Sequence, residues 1–510
     1  MIKAKQIKTW FLGILLVGLI GLLVSYFYID YELNAMYGSH VGQVDSNQFK
    51  RPQENVLIRN VSIFSTDSLV MVPGQFVYIS GGKIRSVDSI SPAIDDAVIL
   101  DGTDKYLIPG LIDSHAHLLR SPNDLLLYLA NGVTGIREMT GTEQHLQWKA
   151  DIIKGERPGP ELFICSKKMN SYRGFKKYMT EWTQPVIAID EGTEVAAKIK
   201  TLKSKGFDGL KIGTFLDREH YLMVSEQSRE QGIRLVGHIP LEVSLEDLWQ
   251  SNQKEVAHIE EFMKFLNREF GGYTSENAQE FLAYVQSRGN QLSKQIAAKG
   301  ITVTSTLWLM QSFVRQKADL PKLLSEVRLT YANTGLIEGT PITSRGLGWL
   351  PKVNIYRWPE GMSPKEKEDS KIYWQTYAKA NEILLRSMVA NGVTVLPGTD
   401  ANCPVTVPGF SLHDELTSLQ EAGMDPRAVL EAATKKASAW MGNNTGSIAS
   451  GLDADLVLLS ENPLSQIGNT RTIEGVISKG RWYPKETLDN MLRAVRERNN
   501  ESRSIPIDGF

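Results

Sequence analysis

Cysteine is almost missing from this sequence: Cys165 and Cys403 are the two present in 510 residues. They lie far apart and form no CxxC pair, so neither a disulfide framework nor a thiolate zinc site is available. An excess of either charge is missing as well, with 56 Lys and Arg against 58 Asp and Glu. A balanced chain carries no basic stripe, and nucleic acid is therefore not an expected partner. Internal repeats are also lacking. What remains is a long chain, 42% hydrophobic, with material for two or three domains and a large core.

One hydrophobic run is present, at the very start. Lys3, Lys5 and Lys8 precede WFLGILLVGLIGLLVSYFYI, Trp10 to Ile29, and Asp30 and Glu32 follow it. About twenty helical residues at 1.5 Å each match a hydrocarbon core of about 30 Å. The basic flank stays in the cytoplasm, which sends the rest of the chain outside it, to a cell surface or periplasm. A cleaved signal peptide is the rival reading. The run is long for one, and no A-x-A-like cleavage site follows, so a single-pass anchor over 1–32 is expected.

After a polar connector at 33–54, short β-rich segments with Gly turns occupy 55–105, and a second set occupies 445–485. Together they read as one small β-sandwich built from both chain ends. Between them, 106–444, strands alternate with helices, the pattern of a parallel sheet with crossover helices. Strands are expected near LIPGLIDSHAH, VTGIREM, ELFICSK, FDGLKIG, RLVGHIP, KEVAHIE, GITVTSTL and GVTVLPGTD. Eight units fit an α/β fold of the distorted (β/α)8 TIM-like barrel type; a doubly wound open sheet is the alternative. The stretch from Met310 to Ser370 reads as irregular, a lid or a packed excursion. The end, 486–510, reads as an exposed helix and tail.

Four of the eight histidines fall at expected strand ends. His115 and His117 form an HxH pair, and residues two apart on a strand face the same side. His238 ends VGHIP and His258 ends VAHIE, while Asp400 follows the last strand and Lys211 sits in the fourth. Each alone has an ordinary explanation as a packed histidine, a turn aspartate or an ion-pairing lysine. In barrels of this kind functional groups gather at the carboxyl ends of the strands, and five strand ends carrying such groups together point to metal. Asp113 shares the parity of the HxH pair and is a candidate for orienting an imidazole. His413 and Arg137 are candidates for substrate contact, and Arg120 is a weaker one. His40, His145 and His220 read as solvated.

LIPGLIDSHAHL, GLKIG, VGHIP, VAHIEE, PGTDAN and GLDADLVLLSENP resemble, as an ordered set from about residue 55 to 490, the imidazolonepropionase-like and prolidase-like branch of the amidohydrolase superfamily. The resemblance implies two divalent ions, with zinc the expected metal. One is held by His115, His117 and Asp400, the other by His238 and His258, and Lys211, carboxylated on its amine, bridges them. The segment HIEEF departs mildly from the EHxE-like run of many relatives. The implied reaction is hydrolysis of an amide-type C–N bond, in a dipeptide or cyclic amide, by a metal-bridging hydroxide with Asp400 relaying the proton. Metal binding takes the pKa of water from 15.7 to about 7, on the order of 12 kcal/mol of hydroxide stabilisation. The same site acting on a phosphotriester or lactone is one alternative, and a non-catalytic membrane-surface scaffold is another. The expected partners are a small-molecule substrate and the membrane; a homo-oligomer is left open.

Overall fold

The computed structural model describes residues 2–94, 96–343 and 346–507; the side chains of Lys3 and Lys5 and the last residues of the expected tail, 508–510, lie outside these. The apolar run, free of proline, forms helix α1, Ile2–Met36, exposed along the whole of Trp10 to Phe27. Its last turns are different. Glu32, Ala35 and Met36 are buried, and the Ala35 carbonyl approaches Gly335 so closely that a side chain there would collide with it. The connector expected from residue 33 is therefore helical through Met36 and docked on the body of the protein.

All eight expected strands of the middle region form: β1 (Leu111–Ala116), β2 (Val133–Glu138), β3 (Glu161–Ile164), β4 (Gly209–Ile212), β5 (Arg234–Gly237), β6 (Gln253–Ala257), β7 (Thr302–Thr304) and β8 (Val395–Leu396). β1, β2 and β3 make one parallel sheet. A seven-stranded parallel sheet runs from Val186–Ile189 through Lys168–Ser171 and β4 to β8. The two sheets are joined at both edges. Beyond β3, Asp208 N–H donates to Ile164 O at 2.8 Å and Ser166 N–H to Gly209 O at 2.9 Å; between β8 and β1, Ser114 N–H donates to Pro397 O and Asp400 N–H to His115 O, both at 2.9 Å. Gly237, φ 121°, permits the close approach of β5 to β4, since an added Cβ would meet Ile212 O at 2.5 Å.

The two chain ends share one eight-stranded sheet, in which Tyr106–Pro109 pairs antiparallel with Leu456–Leu459. The strand Tyr106–Pro109 lies past the boundary expected at 105, because its backbone pairs with the end sheet before the chain enters β1. An apolar cluster including Val56, Ile58, Ile79, Leu107, Leu456 and Ile477 fills one side of this sheet.

Two further expectations are corrected. Much of the stretch after Met310 is helical, in Leu307–Ala318, Leu320–Glu326 and Thr334–Glu338. Leu323, Leu324, Ile337 and Trp349 pack there on Val405 and Val407 just beyond β8. The C-terminal helix, Lys485–Ser502, is not an exposed appendage, because it buries Leu488, Met491 and Val495 at i, i+3 and i+7. Of helix α2, Gly174–Thr183, by contrast, only Thr180 is buried.

Inside the strands lies a charged cross-link. Arg137 of β2, fully buried, donates to Glu255 Oε1 of β6 at 2.6 Å and to Thr304 Oγ1 of β7 at 2.8 Å, and its guanidinium lies 4.1 Å from the Trp440 ring centre. Removing one member of such a pair strands the other charge, at a cost of about 3–5 kcal/mol. Arg137→Met is thus expected to destabilise the protein by about that amount in chemical denaturation, with partial recovery when Glu255→Leu is added. An unchanged midpoint for the single variant would count against this account.

Candidate active site

A cavity of about 470 Å³ opens at the carboxyl ends of the strands, and its lining includes His115, His117, Lys211, His238, His258 and Asp400. The local reasons are plain. His115 lies within β1 and His117 just past it; Lys211 lies within β4; His238 and His258 each follow the last residue of β5 and β6. His258 and Asp400 take left-handed backbone conformations, φ 76° and 55°. Non-glycine residues rarely adopt these without support, and such strain collects at working sites.

The rings converge. The His115 and His258 ring centres are 4.5 Å apart, and those of His238 and His258 are 5.2 Å apart. Asp400 Oδ1 lies 3.3 Å from His115 Nε2 and 3.0 Å from His117 Nε2, and Lys211 Nζ lies 3.4 Å from His115 Nε2. Ligand atoms of His115, His258 and Asp400 fall within 4.8 Å of one another. That tight group cuts across the division into two ligand sets expected from the sequence.

Three of the four imidazoles are aimed by a partner on Nδ1. His238 Nδ1 is 2.8 Å from Glu261 Oε1, His258 Nδ1 is 2.9 Å from Thr306 Oγ1, and His117 Nδ1 meets Thr140 Oγ1. With a proton held on Nδ1, Nε2 keeps its lone pair. His115 Nδ1 is buried with no partner among the described residues. Burial first, then neighbouring positive groups, holds His115 well below the usual imidazole range and takes His258 down to about 4. His238 is also lowered by burial, against the pull of Glu261. Neutral imidazoles are the form that ligates cations. Burial takes the Lys211 ammonium down to about 8, so a fraction of the amine is neutral near pH 7. Burial pushes the Asp400 carboxyl up, but the His115 and His117 imidazoles beside it outweigh that and hold the group well below the ordinary carboxylate range.

Residues 218–483 match the Amidohydrolase family, about half of the chain. This chain belongs to the amidohydrolase family. A solved structure described as bottromycin amidohydrolase is similar over 90% of this chain and 96% of its own, with TM-score 0.68 and 22% identity. A putative prolidase from Bifidobacterium longum is similar over 87% and 99%, with TM-score 0.58 and 19% identity. At these identities the likeness is one of fold. Among curated proteins, a 5-methylthioadenosine/S-adenosylhomocysteine deaminase of Caldanaerobacter subterraneus is 36% identical over 64 residues. That match spans 12% of this chain and 15% of the deaminase.

Other expectations fare differently. Asp113 is fully buried, but it accepts from the backbone N–H of His115 and Thr399, both at 3.1 Å, and from Thr399 Oγ1 at 2.6 Å. It ties β1 to the segment after β8, and among the described residues it makes no hydrogen bond to an imidazole ring. Arg137 lies buried among the parallel strands, outside the cavity lining. His413 is fully buried in the helix Phe410–Glu421, with Nδ1 2.8 Å from Thr470 Oγ1 and Nε2 3.0 Å from Asn131 O. Neither Arg137 nor His413 lines the cavity: both are buried and bonded to groups outside it, Arg137 to Glu255 and Thr304 and His413 to Thr470 and Asn131. His145 and His220, expected in solvent, are buried, bonded to Leu119 O and to Asp217 respectively. His40 is exposed. Arg120 faces a neighbouring cleft.

Sequence reasoning missed Glu261, although it lies in the very HIEEF segment noted as unusual. It also missed Lys168, Tyr37 and Cys403, which line the cavity; Cys403 Sγ donates to Asp400 Oδ2 at 3.3 Å. Hydrogen bonding to His238, with help from Lys264, overcomes burial and takes Glu261 down to about 2 from an ordinary 4.5. The folded value is depressed, so this stabilisation is present above about pH 4.5 and is lost as pH falls toward 2. With divalent ions chelated, Glu261→Gln is expected to remove about 3 kcal/mol of stability near neutrality. Its stability should also change less than the wild type between those pH values. Parallel acid-denaturation curves for the two proteins would contradict this.

Proposed function

We propose that this protein is a metal-dependent hydrolase that cleaves an amide-type C–N bond, in a dipeptide or cyclic amide, within the prolidase-like branch of its family. The observation that carries the reading is one cavity receiving His115, His117, Lys211, His238, His258 and Asp400 from five strands or strand ends. The donor set fits two divalent cations: four imidazoles, one ionised carboxylate, and a lysine close enough to neutrality to react with carbon dioxide. His115, His117 and Asp400 would hold one ion, His238 and His258 the other, and carboxylated Lys211 would bridge them, with zinc favoured by nitrogen-rich ligation. Divalent ions bound there would lower the pKa of water and polarise a carbonyl.

The chain's own residues do the rest. Asp400 starts as the ionised base, takes a proton on its carboxylate from the attacking water and returns it to the departing amine. Glu261 and Thr306 keep the His238 and His258 rings in one tautomer throughout. Lys168 supplies a cation in the cavity wall suited to a substrate carboxylate.

The fold reading that goes with this is a distorted (β/α)8 barrel, β1 to β8, closed by the hydrogen bonds from β8 to β1 and from β3 to β4. Its domain runs from the end of Tyr106–Pro109 to about residue 444, beside a β-domain made from both chain ends. α1 is read as a single-pass anchor with the catalytic domain outside the cytoplasm. Its length and apolarity support that, as do aromatic residues at each end of the run, Trp10 and Phe11, then Tyr26 to Tyr31.

Full-length protein purified in detergent under metal-replete conditions is expected to carry divalent ions and to hydrolyse members of a dipeptide and cyclic-amide panel, with loss of turnover on chelation. Asp400→Asn should lower kcat by about 10²–10⁴ with the fold intact. Absence of bound metal together with absence of chelator-sensitive hydrolysis would overturn the reading. Cleavage confined to phosphotriesters or lactones would move the same site to another bond.

A further inference from the structure

Helix α2, Gly174–Thr183, wears its apolar face outward. Phe175, Tyr178, Met179 and Trp182 recur at i, i+3, i+4 and i+7, which puts them on one stripe. A stripe of this kind ordinarily faces the core, yet Phe175 is 79% and Tyr178 69% exposed. The opposite side of the helix faces the protein, through buried Thr180 and through Lys177, whose ammonium bonds Asp190 at 2.9 Å. Basic Arg173 and Lys176 flank the stripe and are exposed.

The position of the stripe says what covers it. Trp182 stacks on Tyr26 of α1, ring centres 4.8 Å apart and planes at 19°. Tyr26 lies in the terminal aromatic cluster of the apolar run, so α2 shares the depth of the run's outer end. The exposed apolar surface continues along the cavity's rim. Ser171 N–H, just before α2, donates to Phe215 O at 2.9 Å, and Leu241 N–H donates to Thr214 O at 3.1 Å. Phe215 and Leu241 are 58% and 52% exposed, and Thr214 between them lines the cavity. Tyr37, one residue past the end of α1, lines it too. From Ile29 to Tyr37 is about 12 Å at 1.5 Å per residue.

We propose that α2, with Phe215 and Leu241, is an interfacial surface that seats the cavity's mouth on the outer leaflet of the bilayer that α1 crosses. The inference rests on the reading of α1 as a membrane anchor. An apolar aromatic stripe flanked by Lys and Arg is the composition of helices that lie in the headgroup region, and the stack on Tyr26 ties this one to α1 at that level. A second copy of the chain on the same stripe would instead shield it from lipid.

The test uses the full chain in vesicles of phosphatidylcholine with a minority of phosphatidylglycerol. An environment-sensitive fluorophore is placed at Phe175→Cys, Tyr178→Cys, Ile20→Cys or Ile153→Cys, one position at a time. The unsubstituted chain, labelled in parallel, gives the background from Cys165 and Cys403. Ile153 is exposed near the end of the helix Glu143–Lys154, which starts at the mouth and runs to the opposite end of the strands. The labels at 175 and 178 are expected to emit to the blue of the label at 153. They should also lose the larger part of their emission when lipids carry a nitroxide near the headgroup, while the label at 153 does not. Quenching at 20 by lipids with the nitroxide deep on the acyl chain, without headgroup-nitroxide quenching at 175 and 178, overturns the seat and leaves the anchor standing. No quenching at 20 by the deep nitroxide overturns the anchor, and the seat with it.

Discussion

A neutral imidazole has one proton for two nitrogens, and partners from neighbouring strands decide around this cavity which nitrogen holds it. Glu261, Thr306 and Thr140 each meet the Nδ1 of one cavity histidine, leaving Nε2 turned to the cavity. None of the three partners lies on the strand that carries its histidine. Glu261 opens the helix after β6 but aims the histidine after β5; Thr306 follows β7 and aims the one after β6; Thr140 follows β2 and aims the one after β1. Each partner comes from the next parallel strand around. The aim of each ring is therefore a property of strand order.

The same neighbourly support bears the strain of the site. His258 and Asp400 sit at positive φ, conformations that cost on the order of 1–3 kcal/mol each. Asp400 is pinned by its own N–H to His115 O and by the Thr406 hydroxyl on its carbonyl. Beneath, Asp113 ties β1 to the segment after β8, and the Arg137–Glu255 pair ties β2 to β6. Buried charges of this kind contribute little net stability against an apolar replacement. Their effect is geometric, because each fixes the register of two strands whose ends carry cavity residues.

Burial also explains which candidates fell away. Arg137 and His413 belong to residue types that often contact substrates, but both are enclosed among residues outside the cavity and bond partners there. Tyr37 and Lys168, with no motif to mark them, face the cavity because α1 ends there and because the strand Lys168–Ser171 inserts between β4 and the outlying strand Val186–Ile189.

By itself the sequence determined the eight strands, the joining of both ends into one sheet, the long apolar helix and the six cavity residues. These were legible because each depends on local rules: period-two and period-3.6 patterning, twenty apolar residues in a row, and reactive groups placed just where strand patterns stop. What only the tertiary structure decided was which side chains meet. The partners of the imidazoles, the burial of His145, His220 and the C-terminal helix, and the outward face of α2 all depend on contacts between segments from tens to hundreds of residues apart. A hydrogen bond or an apolar contact is set by distance in space, and a one-dimensional pattern carries no record of it until the chain has closed.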